Sequence, residues 1–85
     1  MKEKIILRAK ARTLAPLVRI GKSGLTQSMV EEISKNLRKR KLIKIKLLPA
    51  SFGKGEKEAL IGSIVKATQS ELIETVGNVI VLYKR

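Results

Sequence analysis

The spacing of apolar positions changes along the chain, and each change marks an element. From Lys2 to Leu14, the residues Leu7, Ala11 and Leu14 recur at helical spacing. Lys4, Arg8 and Arg12 form a neighbouring line at i, i+4 and i+8, so a short amphipathic helix with a cationic flank is predicted. Pro16 stops it and opens a strand to about Ile20, since the residue before proline is biased toward extended backbone. After Gly21–Gly24 a second helix begins: Thr26 suits the N-cap, and Leu25 before it can pack on Val30 as a staple. Met29, Ile33 and Leu37 continue its apolar face, while Lys35, Arg38 and Lys39 project from the other side. Arg40 and Lys41 finish the helix, where cations suit the negative end of its dipole.

Beyond Lys41 the period drops to two. Ile43, Ile45 and Leu47 share one side of a strand, and Lys44 and Lys46 share the other with Leu42. Pro49–Gly55 reads as a loop. A third helix over about Glu56–Thr68 packs through Leu60, Ile61, Ile64, Val65 and Thr68, with Gly62 as its weak point. Glu71–Val76 and Val79–Tyr83 flank Gly77-Asn78 as a β-hairpin, and glycine in the first turn position favours type II′. The order is α-β-α-β-α-β-β. It predicts an α/β fold, a two-layer sandwich of three helices on one four-stranded mixed sheet, with right-handed crossovers. No repeat, linker or low-complexity segment interrupts residues 1–85, which read as a single domain.

Charge sharpens this picture because it is unevenly spread. Residues 1–46 hold fourteen basic and three acidic side chains, against five and four in residues 47–85, within a total of +12. Such concentration points to an electrostatic face for a polyanion, rather than a generally cationic surface. Phe52 and Tyr83 are the only aromatic residues, so a platform reading several unpaired bases by ring stacking is not expected. Contact should fall mainly on phosphate and sugar. Tyr83 reads as structural, closing the sheet edge, and Phe52 as either a core plug or an exposed contact.

Cysteine and histidine are both absent, which removes disulfides, thiolate metal sites, the cysteine nucleophile and the commonest general base. The seven acids are Glu3, Glu31, Glu32, Glu56, Glu58, Glu71 and Glu74, and no pair is placed as general acid and base. Gly21-Lys22-Ser23 shares its residues with a Walker A ending, but the upstream glycine and four-residue spacer are missing. No enzyme activity, cofactor, metal or small-molecule substrate is therefore expected. No apolar run approaches the roughly 20 residues of a membrane span, and no signal-peptide pattern is present, so a cytoplasmic, soluble monomer is expected.

The candidate chemistry centres on Gly21, Lys22, Ser23 and Gly24, between a strand and a helix start. Glycine allows positive φ and presents no Cβ, so a phosphate can approach backbone amides there. The following helix adds unpaired N–H groups and the positive end of its dipole, and Lys22 adds a mobile charge. Arg38, Lys39, Arg40, Lys41, Lys44 and Lys46 form the next candidate contacts, then Arg8 and Arg12. Arg19, opposite Val18 and Ile20 on its strand, is a weaker candidate.

Pro16 through Thr26, the Leu42-Ile43-Lys44-Ile45-Lys46 strand and the closing Val79-Ile80-Val81-Leu82-Tyr83-Lys84-Arg85 together resemble the CRM domain. This is the RNA-binding module of bacterial YhbY proteins and of plant organellar splicing factors, and the similarity runs almost from end to end. The resemblance implies a fold similar to the C-terminal domain of bacterial translation initiation factor three. It also implies association with precursors of the large ribosomal subunit for stand-alone bacterial members, and with intron RNA for the plant ones. The family's loop, which approaches RNA as the similar loop of KH domains does, corresponds to Gly21, Lys22, Ser23 and Gly24. Leu48–Gly55 is longer than usual before the third helix. The expected partner is structured RNA, in particular ribosomal RNA or a precursor large subunit. The alternatives are a chromatin-type protein coating duplex DNA and an interaction subunit with an acidic protein partner.

Overall fold

A strand with an apolar residue at every second position needs a roof on that side, and two helices supply it. The computed structural model describes residues 2–85. Its elements are α1 (Lys2–Ala11), β1 (Val18–Ile20), α2 (Gln27–Arg40), β2 (Leu42–Leu47), a 3-10 turn (Pro49–Ser51), α3 (Lys57–Thr68), β3 (Glu71–Val76) and β4 (Val79–Tyr83). The sheet order is β1-β2-β4-β3. β1 runs parallel to β2, with Val18 opposite Ile45 and Ile20 opposite Leu47. β4 is antiparallel to both β2 and β3, so the sheet is mixed, as the order of elements predicts.

One sheet face buries Val18, Ile20, Ile43, Ile45, Leu47, Ile80 and Leu82 against Ile33 and Leu37 of α2 and Ile61 and Ile64 of α3. Phe52 is half-buried against the same cluster, which makes it a core plug. The caps are those the sequence supports: Thr26 Oγ1 accepts the Met29 amide at 3.2 Å, and only Gly77 of the hairpin turn has positive φ, as type II′ requires.

The opposite face carries a second cluster, in which Leu7 and Ala11 of α1 pack with Ile73 and Val81, bordered by Leu42 and Tyr83. The two-layer arrangement therefore describes α2 and α3 only, and α1 adds a partial third layer. α2 and α3 already occupy the first face, and Ile73 and Val81 offer an apolar strip on the second for the α1 stripe. Burial at about 25 cal/mol per Å² supplies the drive. A β-bulge helps: pairing steps from Leu72–Leu82 to Glu74–Val81, so the extra residue Ile73 turns toward α1. Arg8 Nε donates to the Ile73 carbonyl at 3.4 Å.

Three expectations are corrected. α1 ends at Ala11, and Leu14 lies beyond it at 38% exposure rather than in the buried stripe. The last turn tightens, with Thr13 and Leu14 amides bonding the Lys10 and Ala11 carbonyls, before the restriction imposed by Pro16. β1 starts at Val18, leaving Leu17 at 42% exposure. Tyr83 closes no edge, because β4 is an interior strand and Tyr83 pairs with Leu42 on one side and Glu71 on the other. At the chain end, Arg85 meets Glu3 of α1 at 3.1 Å, and this hydrogen bond raises the guanidinium above its ordinary pKa. The pair is exposed and contributes little to stability.

Gly62 sits inside α3, and a Cβ built on it meets nothing within 4 Å. Gly62→Ala should therefore stabilise the protein by about 1 kcal/mol, seen as a rise of roughly 4–8 °C in a circular-dichroism melt. An unchanged or lowered Tm would contradict this reading of α3.

Candidate nucleic-acid interface

The glycine turn emerges where β1 ends. The Leu48 amide donates to the Ile20 carbonyl at 2.9 Å, fixing the strand end, and the Gly24 amide donates to the Gly21 carbonyl at 2.9 Å. Residues 21–24 thus form a hydrogen-bonded β-turn with Lys22 and Ser23 exposed at its tip. Gly24 has φ +67°, yet a Cβ there would meet nothing within 4 Å. Its glycine is required by backbone conformation, and the space in front of it is open. Gly21 differs: a Cβ would lie at an ordinary 3.6 Å from Leu48 Cδ1. Past the turn, Thr26 takes the Met29 and Val30 amides, and the Gln27 and Ser28 amides stand at the positive end of α2 without intrahelical acceptors.

Strand register then assembles the cations. On the α1 side of the sheet, Arg19, Lys46, Val79 and Val76 lie in one row across all four strands. Arg19 and Lys46 are exposed neighbours on adjacent strands, about 4.8 Å apart along the hydrogen-bonding direction. Like charges so placed destabilise a sheet unless an anion joins them. One step along, Lys44 lies in the row of Val81 and Glu74, and it lines a hollow of about 500 Å³ together with Arg12. At the far end, Lys44 also borders an open groove of about 830 Å³ with Lys10, Arg40 and Lys41.

The turn and the Arg38–Lys41 run are not brought together directly. They stand at opposite ends of the 14-residue α2, about 21 Å apart. What links them is the sheet face, through Arg19 and Lys46 near the turn and Lys44 in the middle. Arg38 and Lys39 are exposed on α2 and do not line the groove. Arg8 engages the β3 bulge, whereas Arg12 reaches the hollow beside Lys44. Sequence reasoning passed over Lys10, whose signal is its i+3 spacing from the buried Leu7. Arg19, a weaker candidate from the sequence, stands beside Lys46, a position that follows only from the parallel pairing of β1 with β2.

Lys41 caps α2 at φ 69°, ψ −40°, with its amide donating to the Leu37 carbonyl at 2.8 Å. Glycine is the usual residue at such a helix end. A lysine there carries strain of about 1–3 kcal/mol while adding charge to the groove. Among the described residues, no group of three or more His, Cys, Asp or Glu side chains is placed to hold a metal ion, and no helix is long and apolar enough to cross a membrane.

Comparison with known proteins covers nearly the whole chain. Residues 1–84 match the family model described as the CRS1/YhbY (CRM) domain. The chain is 39% identical over 83 residues to the Bacillus subtilis protein named Probable RNA-binding protein YqeI, spanning 98% of this chain and 84% of that one. It is 35% identical over 83 residues to a Haemophilus influenzae protein named RNA-binding protein, spanning 98% and 82%. The solution structure of a hypothetical protein from Staphylococcus aureus superposes with a TM-score of 0.81 at 36% identity, over 99% of this chain and 85% of that one.

The backbone geometry of the turn and of the α2 C-cap predicts a different response at each of three positions. Gly24→Ala should cost about 1 kcal/mol in denaturant unfolding, Gly21→Ala should be nearly neutral, and Lys41→Gly should stabilise by about 0.5–1 kcal/mol. Equal effects at Gly21 and Gly24 would contradict the geometry of the turn.

Proposed function

The chain belongs to the CRS1/YhbY (CRM) domain family, and from that premise we propose that it is a non-catalytic protein that binds structured RNA by its backbone. The Gly21-Lys22-Ser23-Gly24 turn takes a phosphate at the start of α2, where bare amides, the helix dipole and the Lys22 ammonium converge. Lys46 and Lys44, with Arg19 and Arg12 beside them, follow the strand away from the turn, and Arg40 and Lys41 hold it at the far end. Arg38 and Lys39 extend the charge around the end of α2, and Arg8 stands beside the β3 bulge at the other margin of α1. The observation that carries this reading is the open, Gly24-dependent turn at one end of a cationic track on the sheet. The relatives' names as RNA-binding proteins support it.

Such a surface positions RNA and does not read its sequence base by base. Its affinity comes largely from release of condensed counterions. Within structured RNA we assign ribosomal RNA during assembly of the large subunit, held by one copy of the protein, as the family resemblance implies. The module would stabilise a local RNA fold until later proteins arrive.

Gly21→Asp tests the turn cleanly, because the site accommodates a Cβ and the carboxylate would repel a phosphate. Fluorescence anisotropy with ribosomal RNA fragments should show at least tenfold weaker binding at unchanged Tm. With about six phosphate contacts, log affinity should fall against log salt with a slope of about −4 to −5. Unchanged affinity in the folded variant, a flat salt titration, or tighter binding to duplex DNA of equal length would overturn the proposal. Nuclease treatment before co-purification separates the protein-partner alternative, since an RNA link is lost and a protein link kept.

A further inference from the structure

We infer that the groove between α1 and the α2–β2 junction receives one unpaired nucleotide of the bound RNA, its base on an apolar wall and its flanking phosphates on the rim. This deepens the RNA-binding reading and rests on it. Two features of the groove carry the inference. Lys10, Arg40, Lys41 and Lys44 line it, and no carboxylate does. Between these cations the walls are apolar: Leu14 and Leu17, left 38% and 42% exposed, together with Leu42 and the ring of Tyr83.

A purely phosphate-binding surface has no use for exposed leucines, and a purely apolar docking groove has none for four unpaired cations. A nucleotide within a strand matches both, with a flat π-face for the leucines and the tyrosine and a phosphate on either side for the cations. The volume of about 830 Å³ lies within the range of small-ligand clefts. The retained strain at Lys41 fits the same purpose, since glycine would relax the helix end but remove a charge from the rim. The scarcity of aromatic residues argues against serial stacking of many bases, but one ring beside leucines is sufficient for one base. Tyr83 thus has a binding role in addition to its packing against α1.

The test uses a fully paired RNA hairpin and the same hairpin with one adenosine bulged from its stem. Wild-type protein should bind the bulged form about tenfold more tightly, a factor in keeping with base stacking. Leu14→Ser combined with Leu17→Ser alters only exposed side chains, and it should abolish that preference while keeping affinity for the paired hairpin. Tyr83 is the only tyrosine and there is no tryptophan, so its emission reports on the groove, and only the bulged RNA should quench it. Equal binding of both hairpins by the wild type, or a preference kept by the double variant, would overturn the inference while leaving backbone binding intact. Failure to bind either hairpin would overturn the RNA reading as well. Displacement of the bulged hairpin by free adenosine monophosphate would make the groove a mononucleotide site. Quenching by an acidic, leucine-rich peptide but not by bulged RNA would assign it to a protein partner.

Discussion

The register of β2 is the constraint from which the rest of the molecule follows, because this strand is paired on both edges and its two faces have opposite chemistry. Ile43, Ile45 and Leu47 are buried beneath α2 and α3, while Lys44 and Lys46 face the other way. A slip of one residue would drive two ammonium groups into the core and three large aliphatic side chains into water. With β2 held, β1 and β4 are held too. Arg19 is then fixed beside Lys46, and the glycine turn leaves the sheet beside Leu48.

The second face of the sheet explains how a stable fold retains a reactive surface. α1 has ten residues, about 15 Å of helix, and it roofs the strip around Ile73 and Val81, bordered by Leu42 and Tyr83. The row of Arg19, Lys46, Val79 and Val76 lies beyond that strip. The first half of the chain supplies α1, β1, the turn, α2 and β2, so Lys10, Arg12, Arg19, Lys44 and Lys46 border this partly roofed face, while Lys35, Arg38 and Lys39 stand exposed on α2. Self-repulsion there opposes folding, and a polyanion relieves it.

Much of the fold was legible because the signals were local. The period-two pattern of Leu42–Leu47, the Thr26 cap and the Gly77-Asn78 turn each specify their element without reference to the rest. The placement of α1 was not legible, since an amphipathic stripe such as Leu7 and Ala11 records that a face is buried but not which sheet face receives it. The β3 bulge, which turns Ile73 toward α1, is a property of strand pairing and leaves no mark in the residue pattern. For the site, the glycine turn could be read from residue types alone. The joining of Lys10, Arg12 and Arg19 to Lys44 and Lys46 depends on sheet order and parallel register, which sequence proximity does not reveal.

The proposed RNA contact runs along one side of the sheet, from the glycine turn to the end of α2 with Arg38 and Lys39 at its margin, and leaves Lys35 of α2 and Lys66 of α3 free. Lysine acylation mapped by mass spectrometry, with and without a ribosomal RNA fragment, tests it most directly. Protection at Lys10, Lys22, Lys41, Lys44 and Lys46, with Lys35 and Lys66 remaining reactive, is the predicted result. Protection spread evenly over all seven, or confined to Lys35 and Lys66, would contradict it.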